Sequence, residues 1–425
     1  MFFKLELGIL RMDKNSILAR LTFLRNKANT KFLTIALGFI IAIAATGVIA
    51  QVARTIPAPE IDVTSYILMD QNTGFFLSEK NADQRVEPAS ITKIMTVYVA
   101  GHALEQGLIK LEDEVSVSTK AWKMGGSKMF IEVGKKVTIE ALLDGVIVVS
   151  GNDASVALAE HIAGTEQTFA AMMNDYAKQL GMVNSNFANA SGYPDAETYV
   201  SARDVAVLSR ALIREFPLLY AKFAKKQYTF NKIKQPNRNK LLFRDSSVDG
   251  IKTGHTESAG YCLVSSAMRD NVRLISVIMG SSSDIARTDS SQSLLNYGYR
   301  FFESKKFHRA GAKVSSQMIW HGAVDSISLG VLQDVDLVIP RGTEGRIETK
   351  LEIDKPVLAP LEIGQPVGKL SIFLDGKQLS EVPLVSLDNV EEGSFFSKLW
   401  DTFILFFESL RSEERRVGKE CRSRW

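Results

Sequence analysis

The chain has 425 residues, more than one ordinary domain needs, and 45% of them are hydrophobic, enough to fill sizeable cores, so two domains with terminal appendages are expected. Its 51 basic and 48 acidic residues nearly cancel, and much of the small excess sits in the last fifteen residues, which hold five Arg and one Lys; no basic stripe points to a nucleic-acid partner. Cys262 and Cys421 make no disulfide framework, and His102, His161, His255, His308 and His321 are scattered without metal-ligand spacing, so neither a metal nor another cofactor is expected.

Residues 32–50 form an apolar run behind Arg20, Arg25, Lys27 and Lys31 and end in small residues, the pattern of a secretory signal. Cleavage is expected after Val48-Ile49-Ala50, with Ala53 as second choice and Met12 as an alternative start. The competing reading is an uncleaved anchor, since nineteen apolar residues can span a bilayer. Residues 1–53 are set aside as signal and extension, and the rest is expected outside the cytoplasm.

Residues 61–80 read as two short strands around a turn at Asp70-Gln71-Asn72-Thr73-Gly74. After Pro88 and Ala89, the spacing of Ile91, Ile94, Met95, Tyr98 and Val99 predicts a helix opened by Ser90. Helix-forming sequence from Ile139 to Ala163 is interrupted at Gly151, and further helices are predicted over Phe169–Leu180 and Ala202–Glu215. Tyr261–Ala267 and Arg273–Met279 read as a strand hairpin following Lys252-Thr253-Gly254, which makes residues 60–311 a mixed α/β domain.

Near Gly311 the helical periodicity stops. Short alternating runs such as Val335–Ile339 and Lys369–Leu374, with Gly and Pro between them, predict a small all-β domain over 312–390. Over 393–410, Phe395, Phe396, Leu399, Trp400, Phe403, Ile404, Phe406, Phe407 and Leu410 recur at helical spacing, richer in aromatics than a soluble helix tolerates exposed, and predict a helix lying in the plane of a membrane surface. Docking on a domain is the alternative. Residues 411–425 lack any apolar period and are excluded as a tail or a non-native extension.

Three short strings carry chemistry: Ser90-Ile91-Thr92-Lys93, Ser150-Gly151-Asn152 and Lys252-Thr253-Gly254. A serine hydroxyl is a weak nucleophile at neutral pH and needs a base within hydrogen-bond reach. Positions i and i+3 share a helix face, so Lys93 can supply that base if it is neutral, which burial and a second cation such as Lys252 promote. No single string is specific, because Ser-x-x-Lys arises by chance about once or twice in a chain of this length. Their order in a secreted chain is what points to a histidine-free serine acyltransferase.

The extended strings, Glu87–Thr96, Ser150–Ala154 and Asp249–Thr256, resemble those of the low-molecular-mass penicillin-binding proteins, the serine-type D-alanyl-D-alanine carboxypeptidases. The resemblance runs from about residue 60 to the helix near 410. It implies an α/β penicillin-binding (serine β-lactamase-like) domain with an antiparallel sheet flanked by helices, then a small all-β domain and a C-terminal amphipathic helix. It also implies a periplasmic enzyme, peripheral on the cytoplasmic membrane through that helix, which removes the terminal D-Ala from peptidoglycan stem peptides and is acylated by β-lactam antibiotics.

Residue by residue, the resemblance makes Ser90 the nucleophile, Lys93 its base, and Ser150 a proton relay to the departing amine. Asn152 would hold Lys93 and the substrate amide. Lys252, Thr253 and Gly254 would face the terminal carboxylate, joined by Arg238 and Arg287, and the backbone N–H groups of Ser90 and His255 would form the oxyanion hole. Two features depart from the better-known relatives. Asn189–Asp195 has no assignable part in deacylation, and Gly151 stands where class A β-lactamases more often have Asp. The rival readings are a class A-like β-lactamase using Glu197, which lacks the Glu-x-x-Leu-Asn setting; a D,D-endopeptidase with the same chemistry; and a non-catalytic, membrane-tethered binding protein.

Overall fold

The computed structural model describes residues 57–407. The expected signal and extension at 1–53, the tail at 411–425 and the last turn of the C-terminal helix lie outside them. The described chain falls into two compact units, one of 51–309 with 334–346, the other of 310–333 with 347 onward.

In the first unit, β1 (Ser65–Asp70) and β2 (Phe76–Lys80) form the hairpin expected at 61–80. Its turn is closed by Asp70, whose Oδ1 accepts from Thr73 N and Thr73 Oγ1, both at 2.8 Å. Strands β3 (Val248–Thr256), β4 (Gly260–Arg269) and β5 (Val272–Ser281) complete an antiparallel sheet of order β2-β1-β5-β4-β3. Alternation along the strands serves two cores: Ile67, Met69, Val264, Ile275, Val277 and Met279 face one, while Tyr66, Leu68, Leu263, Leu274 and Ile278 face the other. Lys252-Thr253-Gly254 lies inside β3, where Gly250, Gly254 and Lys252 mask the strand pattern in the sequence.

The larger core is built around α1 (Lys93–Glu105), in which Ile94, Met95, Val97, Tyr98, Val99 and Ala100 are all buried. Such burial around the helix, rather than along one stripe, makes α1 the central rod. Packed against it are α2 (Ile139–Ile147), α3 (Asn152–Ala163), α4 (Glu166–Gln179) and α5 (Ala202–Glu215). Side-chain caps start several of these helices: Thr138 accepts from Ala141 N, Thr165 from Thr168 N, and Ser201 from Asp204 N. On the opposite face of the sheet α6 (Asp284–Phe301) covers the smaller core with Leu294, Leu295 and Tyr297.

Val335–Pro340 pairs with Phe302–His308 as a two-stranded antiparallel ribbon and groups with the first unit. The second unit is all-β apart from its last element. Its five strands run in the order Lys313–Met318, Ser326–Gly330, Lys377–Ser386, Pro366–Leu374 and Ile347–Ile353, over a core of Ile319, Ile327, Leu329, Leu361, Val367 and Leu384. A helix over 395–407 follows. Its polar side is tied to His321, whose N donates to Asp401 Oδ2 at 2.7 Å and whose Nε2 lies 3.0 Å from Thr402 Oγ1. Phe395, Phe396, Leu399, Trp400, Phe403 and Phe407 are exposed, each by more than half of its surface. Among the described residues no helix is long and apolar enough to cross a membrane.

Candidate active site

The segment Ala89–Thr92 is a 3-10 turn that runs into α1 at Lys93. With three residues per turn, positions i and i+3 eclipse one another, which is tighter than the shared α-helical face expected from spacing. Lys93 Nζ accordingly stands 2.9 Å from Ser90 Oγ. Ala89 has φ +46°, an unfavourable region for a residue bearing a Cβ. Two glycines permit the close packing that holds it. A Cβ on Gly192 would lie 1.8 Å from Ala89 O, and one on Gly254 would lie 2.8 Å from Pro88 O.

The second string bridges α2 and α3, and Ser150 takes φ +63° to make the bend. Asn152 opens α3; its Oδ1 accepts from Lys93 Nζ at 2.7 Å and its Nδ2 donates to Gly125 O at 2.8 Å. Lys252 reaches in from β3, with Nζ 2.9 Å from Ser150 Oγ and 3.0 Å from Thr253 O. The three strings thus converge on one chain of contacts: Ser90, Lys93, Asn152, and beside them Ser150 with Lys252.

Both lysines are buried. Burial, assisted by the Arg238 charge and opposed by Asp153, lowers the Lys93 ammonium from the usual lysine range to about 7. Lys252 is held well below its ordinary value by burial first, then by Lys93, Arg238 and Arg287. An amine that shares its proton at neutral pH next to a serine hydroxyl is what general-base activation requires.

These groups open onto a cleft of about 800 Å³ bordered by Ser90, Ser150, Asn152, Thr253, Gly254, His255, Arg238 and Arg287. Every site residue expected from the sequence lies on this cleft or directly behind it. Arg287 is itself buried and largely occupied: Nη1 donates to Gly254 O at 3.0 Å and Cys262 O at 3.1 Å, and Nη2 pairs with Asp284. It therefore braces the third string as much as it faces the cleft. The His255 ring packs against Tyr261, centroids 4.0 Å apart. Glu197 is exposed and is not among the lining residues.

Sequence reasoning missed several groups. Ser191 O accepts from Lys93 Nζ at 2.5 Å, so Asn189–Asp195 supplies a third partner to the amine. Asn189 Oδ1 accepts from Ser191 N, Gly192 N and Tyr193 N, which curls that segment around its own side chain. Asp153 is also buried, and it accepts from the backbone N–H of Met129, Phe130, Ile131 and Ala154. It clamps the loop that delivers Gly126 and Ser127 to the cleft. The Asn-x-x-Gly turn signal was visible in the sequence; the Asp153 clamp had no local signal.

Residues 52–283 match the D-alanyl-D-alanine carboxypeptidase family, and residues 302–392 match the penicillin-binding protein 5 C-terminal domain. The chain belongs to the D-alanyl-D-alanine carboxypeptidase family. Relatives include the D-alanyl-D-alanine carboxypeptidase DacC of Escherichia coli, 42% identical over 83% of this chain and 90% of that protein, and DacA of Haemophilus influenzae, 44% identical over 83% and 92%. Among solved structures, penicillin-binding protein 5 from Haemophilus influenzae superimposes with a TM-score of 0.77 at 44% identity, covering 79% of this chain and all of that one. Penicillin-binding protein D2 from Listeria monocytogenes, solved in its ampicillin-bound form, matches 57% of this chain at 26% identity with a TM-score of 0.53. The protein is a serine D,D-carboxypeptidase with the fold the motifs implied, and the β-lactamase and non-catalytic readings are not favoured.

Proposed function

We propose that Ser90 is the nucleophile of this carboxypeptidase and neutral Lys93 its base. The observation that carries the reading is the 2.9 Å approach of Lys93 Nζ to Ser90 Oγ together with the lowered proton affinity of that amine. Lys93 takes the Ser90 proton as Oγ attacks the carbonyl carbon of the penultimate D-Ala of a peptidoglycan stem peptide. The developing oxyanion is received by the backbone N–H groups of Ser90 and His255, a device worth about 3 kcal/mol of barrier. Ser150, held by Lys252, relays to the departing amine the proton that Lys93 took from Ser90, so Lys93 is again neutral and Ser150 keeps its hydroxyl as the terminal D-Ala leaves. Water then cleaves the Ser90 ester and restores the hydroxyl. Lys252, Thr253 and Arg238 offer positive charge and a hydroxyl to the terminal carboxylate, while Arg287 stiffens the strand that presents them.

β-Lactams enter the same route as acylating mimics, in keeping with the ampicillin complex of the Listeria relative. The exposed aromatic side of the 395–407 helix supports attachment to the outer face of the cytoplasmic membrane, with the polar side turned to the β unit through His321. In this reading residues 60–311 are the catalytic domain and 393–410 the anchor, while the β domain expected at 312–390 lacks 334–346, whose strand pairs with Phe302–His308 in the first unit.

The test is release of D-Ala from a pentapeptide by the wild type and by Ser90→Ala, with fluorescent penicillin labelling of both. Turnover and a long-lived adduct in the wild type, and neither in Ser90→Ala, support the assignment. An adduct that survives in Ser90→Ala overturns it.

A further inference from the structure

Between 222 and 240 the chain carries Lys222, Lys225, Lys226, Lys232, Lys234, Arg238 and Lys240 without one acidic residue. Most of these charges are answered locally. Lys222 and Lys225 pair with Glu140 and Asp144, Lys240 pairs with Asp284, and Lys226 sits over the Phe243 ring. Among the described residues no carboxylate lies within ion-pair distance of Lys232, Lys234 or Arg238, and all three are exposed.

Lys232 stands out by its backbone as well. Strands Gln227–Phe230 and Ile233–Pro236 pair in register from Gln227↔Pro236 to Phe230↔Ile233, which leaves a two-residue loop, Asn231-Lys232. Both loop residues have positive φ, +46° and +63°. Such a turn favours Gly at its second position, and a lysine there costs about 1 kcal/mol. Lys234 pairs with Thr229, whereas Tyr228, Phe230 and Gln235 occupy the other face of the ribbon, with Tyr228 and Phe230 packed on the large core. The ribbon therefore presents Lys232 at its tip and Lys234 on its outer face.

This ribbon is bonded to the loop that borders the cleft. Gln235 Nε2 donates to Lys128 O at 3.1 Å, and Asn231 Nδ2 donates to Phe130 O at 3.0 Å. The same loop delivers Gly126 and Ser127 to the cleft and carries Lys128, also without a carboxylate partner among the described residues. At its other end the ribbon continues into Arg238 on the cleft wall. Positive charge thus runs from Arg238 onto the ribbon and across to Lys128. Among the described residues neither Glu132 on that loop nor Glu257 of the cleft lining forms an ion pair with these cations.

We propose that Lys128, Lys232 and Lys234 form a cationic extension of the cleft that holds the free carboxylates of the stem peptide upstream of its D-Ala pair. The inference rests on the carboxypeptidase reading above and adds a substrate-selecting surface to it. The scissile end is neutral apart from its terminal carboxylate, which the catalytic cations face. The upstream stem carries a γ-linked glutamate whose α-carboxylate is free, and a second free carboxylate where its diamino residue is a dicarboxylic acid; these anions fall to a separate surface. Exposed pairs of this kind are individually weak and are screened by salt.

The experiment compares two pentapeptides with intact D-Ala-D-Ala ends, one with the upstream carboxylates free and one with them amidated. Wild type and the Lys232→Gln/Lys234→Gln double variant are assayed for D-Ala release at low and high salt. Penicillin acylation serves as a check on folding. The expected result is a KM for the acidic peptide about fivefold higher in the double variant, with kcat unchanged and KM for the amidated peptide unaltered. Added salt should erase the wild-type preference for the acidic peptide. An unchanged KM, or an equal rise for both peptides, overturns the proposal. Binding of the two peptides to Ser90→Ala, with and without the lysine changes, gives the same comparison without turnover, so failure of this surface is separable from failure of the catalytic assignment.

Discussion

Lys252 Nζ and Ser150 Oγ lie 2.9 Å apart although 102 positions separate them in the chain. The pair joins the sheet to the helical layer, and in the proposed mechanism it is where the leaving amine is protonated. Ser150→Ala removes the relay and leaves Ser90 and Lys93 in place. Turnover of a D-Ala-D-Ala peptide should fall by about 10²- to 10⁴-fold, the usual worth of a positioned proton donor. KM should change little, and steady-state kinetics of D-Ala release measure both. A drop in KM-dependent binding with kcat intact would contradict the relay role.

The Lys93 amine is lowered to about 7. In the proposed mechanism its neutral form is the base, so activity should rise as pH increases through that value and level off above it. The check is kcat/KM measured from about pH 5 to about pH 9. Lys93→Arg, whose guanidinium stays charged, should lose both the acid limb and the activity. An acid limb centred near the ordinary lysine value would contradict the assignment.

Gly192 has φ +69°, and a Cβ there would stand 1.8 Å from Ala89 O. Gly192→Ala must move the 3-10 turn that carries Ser90 or the segment that carries Ser191. A loss of about 2 kcal/mol of stability is expected, with penicillin acylation slowed more than the folded fraction alone explains. Thermal unfolding and the acylation rate, measured on the same sample, separate the two effects.

Asp153 accepts from four backbone N–H groups, three of them in the loop at Met129–Ile131. Asp153→Ala strands these donors in the interior, at a cost of about 3 kcal/mol. It also removes the charge that opposes the lowering of Lys93, so the acid limb of the pH profile should move to lower pH. A purely structural clamp would lower the melting temperature without moving that limb.

Residues 395–407 carry the exposed aromatic face. A form lacking 393–410 should stay in solution with anionic lipid vesicles while retaining penicillin acylation, provided the signal has been removed. Sedimentation with the vesicles decides this, and a truncated form that still pellets would contradict the anchor.

Much of the site could be read directly from the chain. Ser90 and Lys93 lie one turn apart, Ser150 and Asn152 flank a helix break, and the chemistry of an amine base follows from residue type alone. The capping hydroxyls of Thr138, Thr165 and Ser201 are local signals that the spacing argument passed over, which is why the helix capped by Thr165 starts at Glu166, ahead of the expected Phe169. Strand-like runs set apart by a polar turn identified β4 and β5, whereas the glycines of β3 hid the strand that carries Lys252.

Tertiary structure alone decided the rest, since it depends on atoms distant in sequence. The lowered proton affinity of Lys93 comes from complete burial and from Arg238, and its third partner, Ser191 O, is 98 positions away. The 1.8 Å limit at Gly192 and the Asp153 clamp exist only once separate segments are packed together. Overall charge balance likewise concealed the cations of 222–240, because near-neutrality of the whole chain says nothing about which charges find partners. Composition and spacing determine which chemistry is available; burial and convergence determine which amine is neutral, which charges stay unpaired, and where the substrate meets them.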